Sequence, residues 1–92
     1  MIVNKKYNDG RLFLSICDDN LIGKKFSDKN MILDLKKEYF SGEKTTESEL
    51  SELIKKAYFI SCVGINSIKI LEKFKDIERK KVENIPYSFI LR

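Results

Sequence analysis

Ile2-Val3-Asn4-Lys5-Lys6-Tyr7-Asn8-Asp9-Gly10-Arg11-Leu12-Phe13-Leu14-Ser15-Ile16-Cys17 reads as two strands either side of a tight turn, and that reading decides the fold. Asn, Asp and Gly tolerate the left-handed backbone of short hairpin turns, so Asn8-Asp9-Gly10 predicts a chain reversal between Ile2–Tyr7 and Arg11–Cys17. In the second arm Leu12, Leu14 and Ile16 share one face while Phe13, Ser15 and Cys17 share the other. The second face is itself partly apolar. The strand is therefore expected in the middle of a sheet, not at its edge.

Beyond the hairpin, Asp18-Asp19-Asn20 predicts a turn or the cap of a short helical turn, closed at Gly23. Lys24-Lys25-Phe26 and Met31–Leu35 read as short strands around the polar turn Ser27-Asp28-Lys29-Asn30, and Tyr39-Phe40-Ser41-Gly42 as a loop. A helix is expected from Thr46, because Thr46 and Glu49 have capping-box spacing and Leu50, Leu53, Ile54, Ala57 and Tyr58 form one apolar stripe. Phe59–Val63 either extends that helix by a turn or forms a short buried strand. Gly64 breaks the pattern, and Asn66 is the expected cap of a second helix carrying Ile68, Leu71 and Phe74. Tyr87, Phe89 and Leu91 share a face in a closing strand that begins after Pro86, at an edge or after a bend. The sum is one α+β domain over residues 1–92. It has an N-terminal hairpin and short strands in a mostly antiparallel sheet, two central helices and a C-terminal strand.

Length and composition agree with a single small core. The 92 residues are 42% hydrophobic and 35% charged, the balance of an ordinary globular chain. No apolar run approaches the roughly 18 residues of a membrane span, and the first residues lack the order of a signal peptide. A cytoplasmic protein away from membranes is expected, and two isolated cysteines, Cys17 and Cys62, fit a reducing compartment. The chain contains no histidine, which removes the commonest general base and metal ligand. Its net charge of +4 comes from 18 Lys and Arg against 14 Asp and Glu. Lysine dominates the cations, which suits point contacts to phosphate more than bidentate clamps.

The order Leu21-Ile22-Gly23-Lys24, Phe26, Tyr39-Phe40-Ser41-Gly42-Glu43, the acid-capped helix reaching Ala57, and Val63-Gly64 resembles a family of small archaeal proteins known as domain of unknown function 424. The resemblance covers nearly the whole chain. It implies a small intracellular α+β protein of archaeal type with no established activity. Two places depart from the family pattern. Pro86-Tyr87-Ser88-Phe89 stands where the family has a Pro-His-Ala-Gln-like segment, and Ile65 stands where it has an acidic residue. A catalytic role for a histidine at that place is closed to this chain.

Several side chains are candidates for function. Lys24, Lys25, Lys36 and Lys37, with Tyr39, form a candidate nucleic-acid contact, the rings of Tyr7, Phe13, Phe26 and Phe40 adding surfaces on which bases stack; the alternative is a solubilising lysine surface, with most of the rings buried in a core that has no tryptophan. Gly64 and Asn66 form a candidate anion site if they open a helix, whose first N–H groups point at a ligand. Gly42-Glu43-Lys44-Thr45 lacks the glycine and the order of a phosphate loop. Without a neighbouring base, Cys17 and Cys62 read as core residues. These features point to a non-catalytic binding or interaction module that needs no cofactor or metal and meets RNA or an acidic protein partner, with a homo-oligomer as a further arrangement. The alternative is a small enzyme or enzyme subunit that uses the carboxylates of Asp18, Asp19 and Glu43 with a bound metal or substrate.

Overall fold

In the computed structural model, which describes residues 1–37 and 43–91, Asp9 and Gly10 adopt φ of 53° and 75°. Two consecutive left-handed residues match the twist of a two-residue hairpin turn. Strand β1 (Ile2–Asn8) therefore folds directly back as β2 (Arg11–Cys17), with Asn8 facing Arg11 and Ile2 facing Cys17. After one turn of 3-10 helix (Asp19–Leu21), β3 (Lys25–Ser27) and β4 (Ile32–Asp34) form a second, smaller hairpin. The Asp28 carboxylate closes its turn by accepting from the Asn30 and Met31 N–H groups at 2.8 and 2.9 Å.

The two-residue β5 (Glu43–Lys44) leads to α1 (Glu47–Lys56). The Thr46 hydroxyl accepts from the Glu49 N–H at 3.2 Å, the capping contact its spacing predicts. Leu50 and Ile54 bury the inner face of this helix, which stops where Ala57 turns to extended backbone. Phe59–Val63 is then a strand, β6, and not a further helical turn. Its alternation decides this: Ile60 and Cys62 point under the helices while Phe59, Ser61 and Val63 face the other way.

Helix α2 (Ile65–Glu72) follows at once, with Ser67, Ile68 and Leu71 buried. Two expectations are corrected here. The N-cap residue is Gly64, so Asn66 lies inside the first turn and caps nothing with its side chain. The helix also ends before Phe74, whose N–H bonds the Leu71 carbonyl in a following turn and whose ring is partly exposed.

Strand β7 (Lys80–Val82) and β8 (Ile85–Leu91) close the fold around Glu83 and Asn84, which repeat the left-handed pair with φ of 49° and 66°. Strand β8 begins before Pro86 and is flanked by β7, so it is not an edge. Proline is tolerated because its missing N–H would point past the end of β6. At that place the Pro86 carbonyl accepts instead from the Gly64 N–H at 2.8 Å.

The main sheet has the order β5-β1-β2-β6-β8-β7, and β2–β6 is its one parallel pair among the described residues. Both helices pack on one face, where Val3, Leu12, Leu14, Ile16 and Ile60 meet Leu50, Ile54, Ile68 and Leu71. The β3–β4 hairpin covers half of the other face, setting Leu33 and Leu35 against Cys17, Val63, Val82 and Tyr87. A bond of 2.8 Å from the Ser27 N–H to the Glu83 carboxylate ties that hairpin to the β7–β8 turn. No helix among the described residues is long and apolar enough to cross a membrane.

Candidate nucleic-acid interface

The half of the outer face that the β3–β4 hairpin leaves uncovered carries a row of aromatic rings. Strand register builds it: Lys6 faces Phe13, Phe13 faces Phe59, and Ser15, Ser61 and Phe89 line up on successive strands. Ring centroids follow one another at 5.8 Å for Tyr58–Phe13, 6.2 Å for Phe13–Phe59 and 6.1 Å for Phe59–Phe89, and at 5.4 Å Phe89 meets Tyr87, which lies in the core under the hairpin. These spacings are those of touching aromatic pairs, so each ring holds its neighbour in place. Phe13 and Phe59 are half-buried, while Phe89 remains 47% exposed.

Cations flank the row. Lys6 on β1 and Lys80 on β7 are exposed on opposite sides of it, and the Arg11 guanidinium lies 4.5 Å from the centre of the Tyr58 ring. Among the described side chains, the charged strand residues of the main sheet that face this half are Lys6, Arg11 and Lys80, and the exposed Asp76 and Glu78, just before β7, line a depression with Lys80 and Phe89. A depression of about 340 Å³ opens beside Phe13, walled by Asn4, Lys6, Asn8, Phe13, Ser15 and Phe59. A second, of about 300 Å³, runs from Phe59 and Phe89 to the hairpin, where Asp34 stands at the border.

The expected site residues are distributed differently. Lys24, Lys25, Lys36 and Lys37 are exposed and come together at the open end of the β3–β4 hairpin, where the Lys24 carbonyl accepts from Leu35 N–H at 2.9 Å and Lys25 pairs with Asp34. The Lys36 ammonium is 4.0 Å from the Asp34 carboxylate. Tyr39 and Phe40 lie outside the described residues. Of the remaining rings, Phe13 alone belongs to the row: Tyr7 is exposed on the helix side of the sheet, and Phe26 packs into the core beneath the hairpin. Phe59 and Phe89 were not legible as partners of Phe13. The alternation in Phe59–Val63, read as a strand, is the one signal that would have placed Phe59.

At the start of α2 the first N–H groups are already engaged. The parallel strands β2 and β6 end side by side, and the residue after β2 is Asp18, buried and 4% exposed. Its carboxylate accepts from the Asn66 N–H at 3.1 Å, the Ser67 N–H at 2.8 Å and the Ser67 hydroxyl at 2.6 Å. The anion at the Gly64–Asn66 bend is therefore the chain's own, held where the helix dipole favours negative charge. Asp19 pairs with the amino group of Met1 instead of turning toward Asp18. Of Glu43 the structure describes the backbone, in β5 beside Val3. Among the described residues, no three Cys, Asp or Glu side chains gather as metal ligands would.

Both cysteines are buried, one on each face of the sheet. Burial, reinforced by the negative charge of Asp18 and then Asp19, pushes the Cys17 thiol up to about 12. Burial pushes Cys62 up as well, with Asp18 again adding to it. Neither thiol offers the thiolate that a nucleophile requires.

The crystal structure of an uncharacterized conserved protein from Methanopyrus kandleri has the same fold, with a TM-score of 0.80 over 97% of this chain and 88% of that one, at 15% identity. No curated protein matches the chain significantly. A family model described as a protein of unknown function (DUF424) matches residues 6–92, and the chain belongs to that family.

Proposed function

We propose that this chain is a non-catalytic binding module whose uncovered half-sheet takes RNA. The observation that carries the reading is the aromatic row crossing a face whose charged strand residues are Lys6, Arg11 and Lys80. Rings in contact supply apolar area, and Lys6 and Arg11 at one end of the row supply attraction for a polyanion, while at the other end Lys80 shares its depression with Asp76 and Glu78. Lys24, Lys25, Lys36 and Lys37 extend the positive rim along the neighbouring hairpin. The net charge of +4 gives long-range attraction of the same sign. Two buried free thiols support a cytoplasmic setting.

Fluorescence polarisation with a labelled mixed-sequence RNA, titrated over a range of salt, tests the reading. Affinity is expected to fall linearly with the logarithm of salt concentration, the slope losing about one unit for each of Lys6→Ala, Arg11→Ala and Lys80→Ala that removes a phosphate contact. No binding at low ionic strength overturns it. Equal affinity for polyglutamate would replace RNA by an acidic protein partner.

A further inference from the structure

We infer that the half-sheet recognises unpaired bases, with Phe13, Phe59 and Phe89 as successive stacking platforms for a single-stranded stretch of about three nucleotides. The inference rests on the RNA reading above and narrows it to one form of nucleic acid.

A duplex hides the faces of its bases and offers backbone and groove edges. A surface built for it needs cations and polar groups and gains nothing from apolar rings at its centre. Here the cations Lys6 and Lys80 stand at the flanks, and the middle is Phe13, Phe59 and Phe89. The rings come from three adjacent strands, β2, β6 and β8, and touch at 6.2 and 6.1 Å, so the row runs across the strands as one continuous track. Phe13 and Phe59 are held by the sheet and by each other, so little side-chain freedom remains to be lost on binding. The depression beside Phe13 adds Asn8, Ser15 and Lys6, with donors and acceptors that suit a base edge and its phosphate. The Arg11 guanidinium is fixed over Tyr58 at the end of the track, where it meets the strand's backbone as a positioned charge.

The chain contains no tryptophan, which makes Phe89→Trp a clean reporter at a position 47% exposed. The probes are a single-stranded oligoadenylate octamer, an abasic octamer of the same charge, and an RNA duplex of the same length. The intact octamer is expected to quench the Phe89→Trp emission and to bind at least tenfold more tightly than either control. Phe89→Ala is expected to weaken binding by roughly 5- to 150-fold while Phe89→Trp retains it. Circular dichroism establishes that both variants are folded, and the exposed position makes that the expected result. If the abasic octamer or the duplex binds as tightly as the intact strand, or the tryptophan emission is unchanged on binding, base stacking is overturned while the RNA reading stands. If none of the three probes binds at low ionic strength, both fall together.

Discussion

The carboxylate of Asp18 occupies the space that a side chain on Gly64 would need. A Cβ built on Gly64 would stand 2.5 and 2.7 Å from the two carboxylate oxygens, closer than any real contact allows. Gly64 also has φ of 107° and ψ of 151°, a backbone region that is nearly glycine's alone. The same glycine joins β6 to α2 and lets Asp18 reach the helix start. Gly64→Ala is therefore expected to cost at least about 3 kcal/mol, since backbone strain and expulsion of Asp18 act together. Urea unfolding of the variant measures it, and a loss below about 1 kcal/mol would show that the carboxylate moves aside freely.

Asp18 and Ser67 act as one unit. Ser67→Ala removes a buried charge-assisted hydrogen bond and is expected to cost about 1.5–3 kcal/mol. Asp18→Asn keeps the shape but removes the charge and turns one acceptor toward N–H groups as a donor, at a similar or greater cost. The double variant is expected to lose at least about 0.5 kcal/mol less than the sum, because both changes act on the same Ser67–Asp18 bond. Full additivity in a double-mutant cycle would refute the coupling.

Alkaline pH weakens the fold through its thiols. The Cys17 thiol is raised in the native state from 9.0 to about 12, so between those values the unfolded chain has given up a proton that the native chain keeps. The contribution of this thiol is complete below about pH 9 and is lost as pH rises toward 12, by up to about 1.4 kcal/mol per unit for such a group. Cys62 shifts the same way and steepens the fall. Chemical melts between pH 8 and 11 follow the loss, and Cys17→Ala should lessen it, leaving the part due to Cys62. A thiol reagent should label neither cysteine until the protein unfolds.

Thr46→Ala removes the hydroxyl that accepts from the Glu49 N–H and is expected to cost about 1 kcal/mol. The loss is local to α1. A midpoint unchanged in urea would show that the solvent caps the helix equally well.

What could be read in the sequence was what neighbours along the chain decide. Asp9-Gly10 and the alternation on each side of it specify the first hairpin, and Thr46 with Glu49 and the Leu50–Ile54 stripe specifies α1. Phe59–Val63 is ambiguous in sequence because a run of five mostly apolar residues fits a helix end as well as a strand, and only its partners β2 and β8 distinguish them. The cap of α2 was out of reach for a plainer reason. It arrives from Asp18, 48 positions before Asn66, while Asn66 has the residue type of a cap without the place of one. The ring row is a product of register, since Phe13, Phe59 and Phe89 meet only when three strands are laid side by side. The lysines of the small hairpin, by contrast, are close in sequence and close in space.

The central parallel pair sets an order of events for the growing polypeptide. Strand β2 lies between β1, its hairpin partner, and β6, which is synthesised only after β3, β4, β5 and α1. Until Phe59 emerges, the N–H and C=O groups along the far edge of β2 have no strand to pair with, and a parallel neighbour cannot be reached by a short turn. A fragment of residues 1–58 is expected to melt without cooperativity and to be digested quickly by protease, and a cooperative transition in that fragment would contradict this. The β1–β2 hairpin is thus a seed that waits for β6, some forty residues further along, before its second edge is closed.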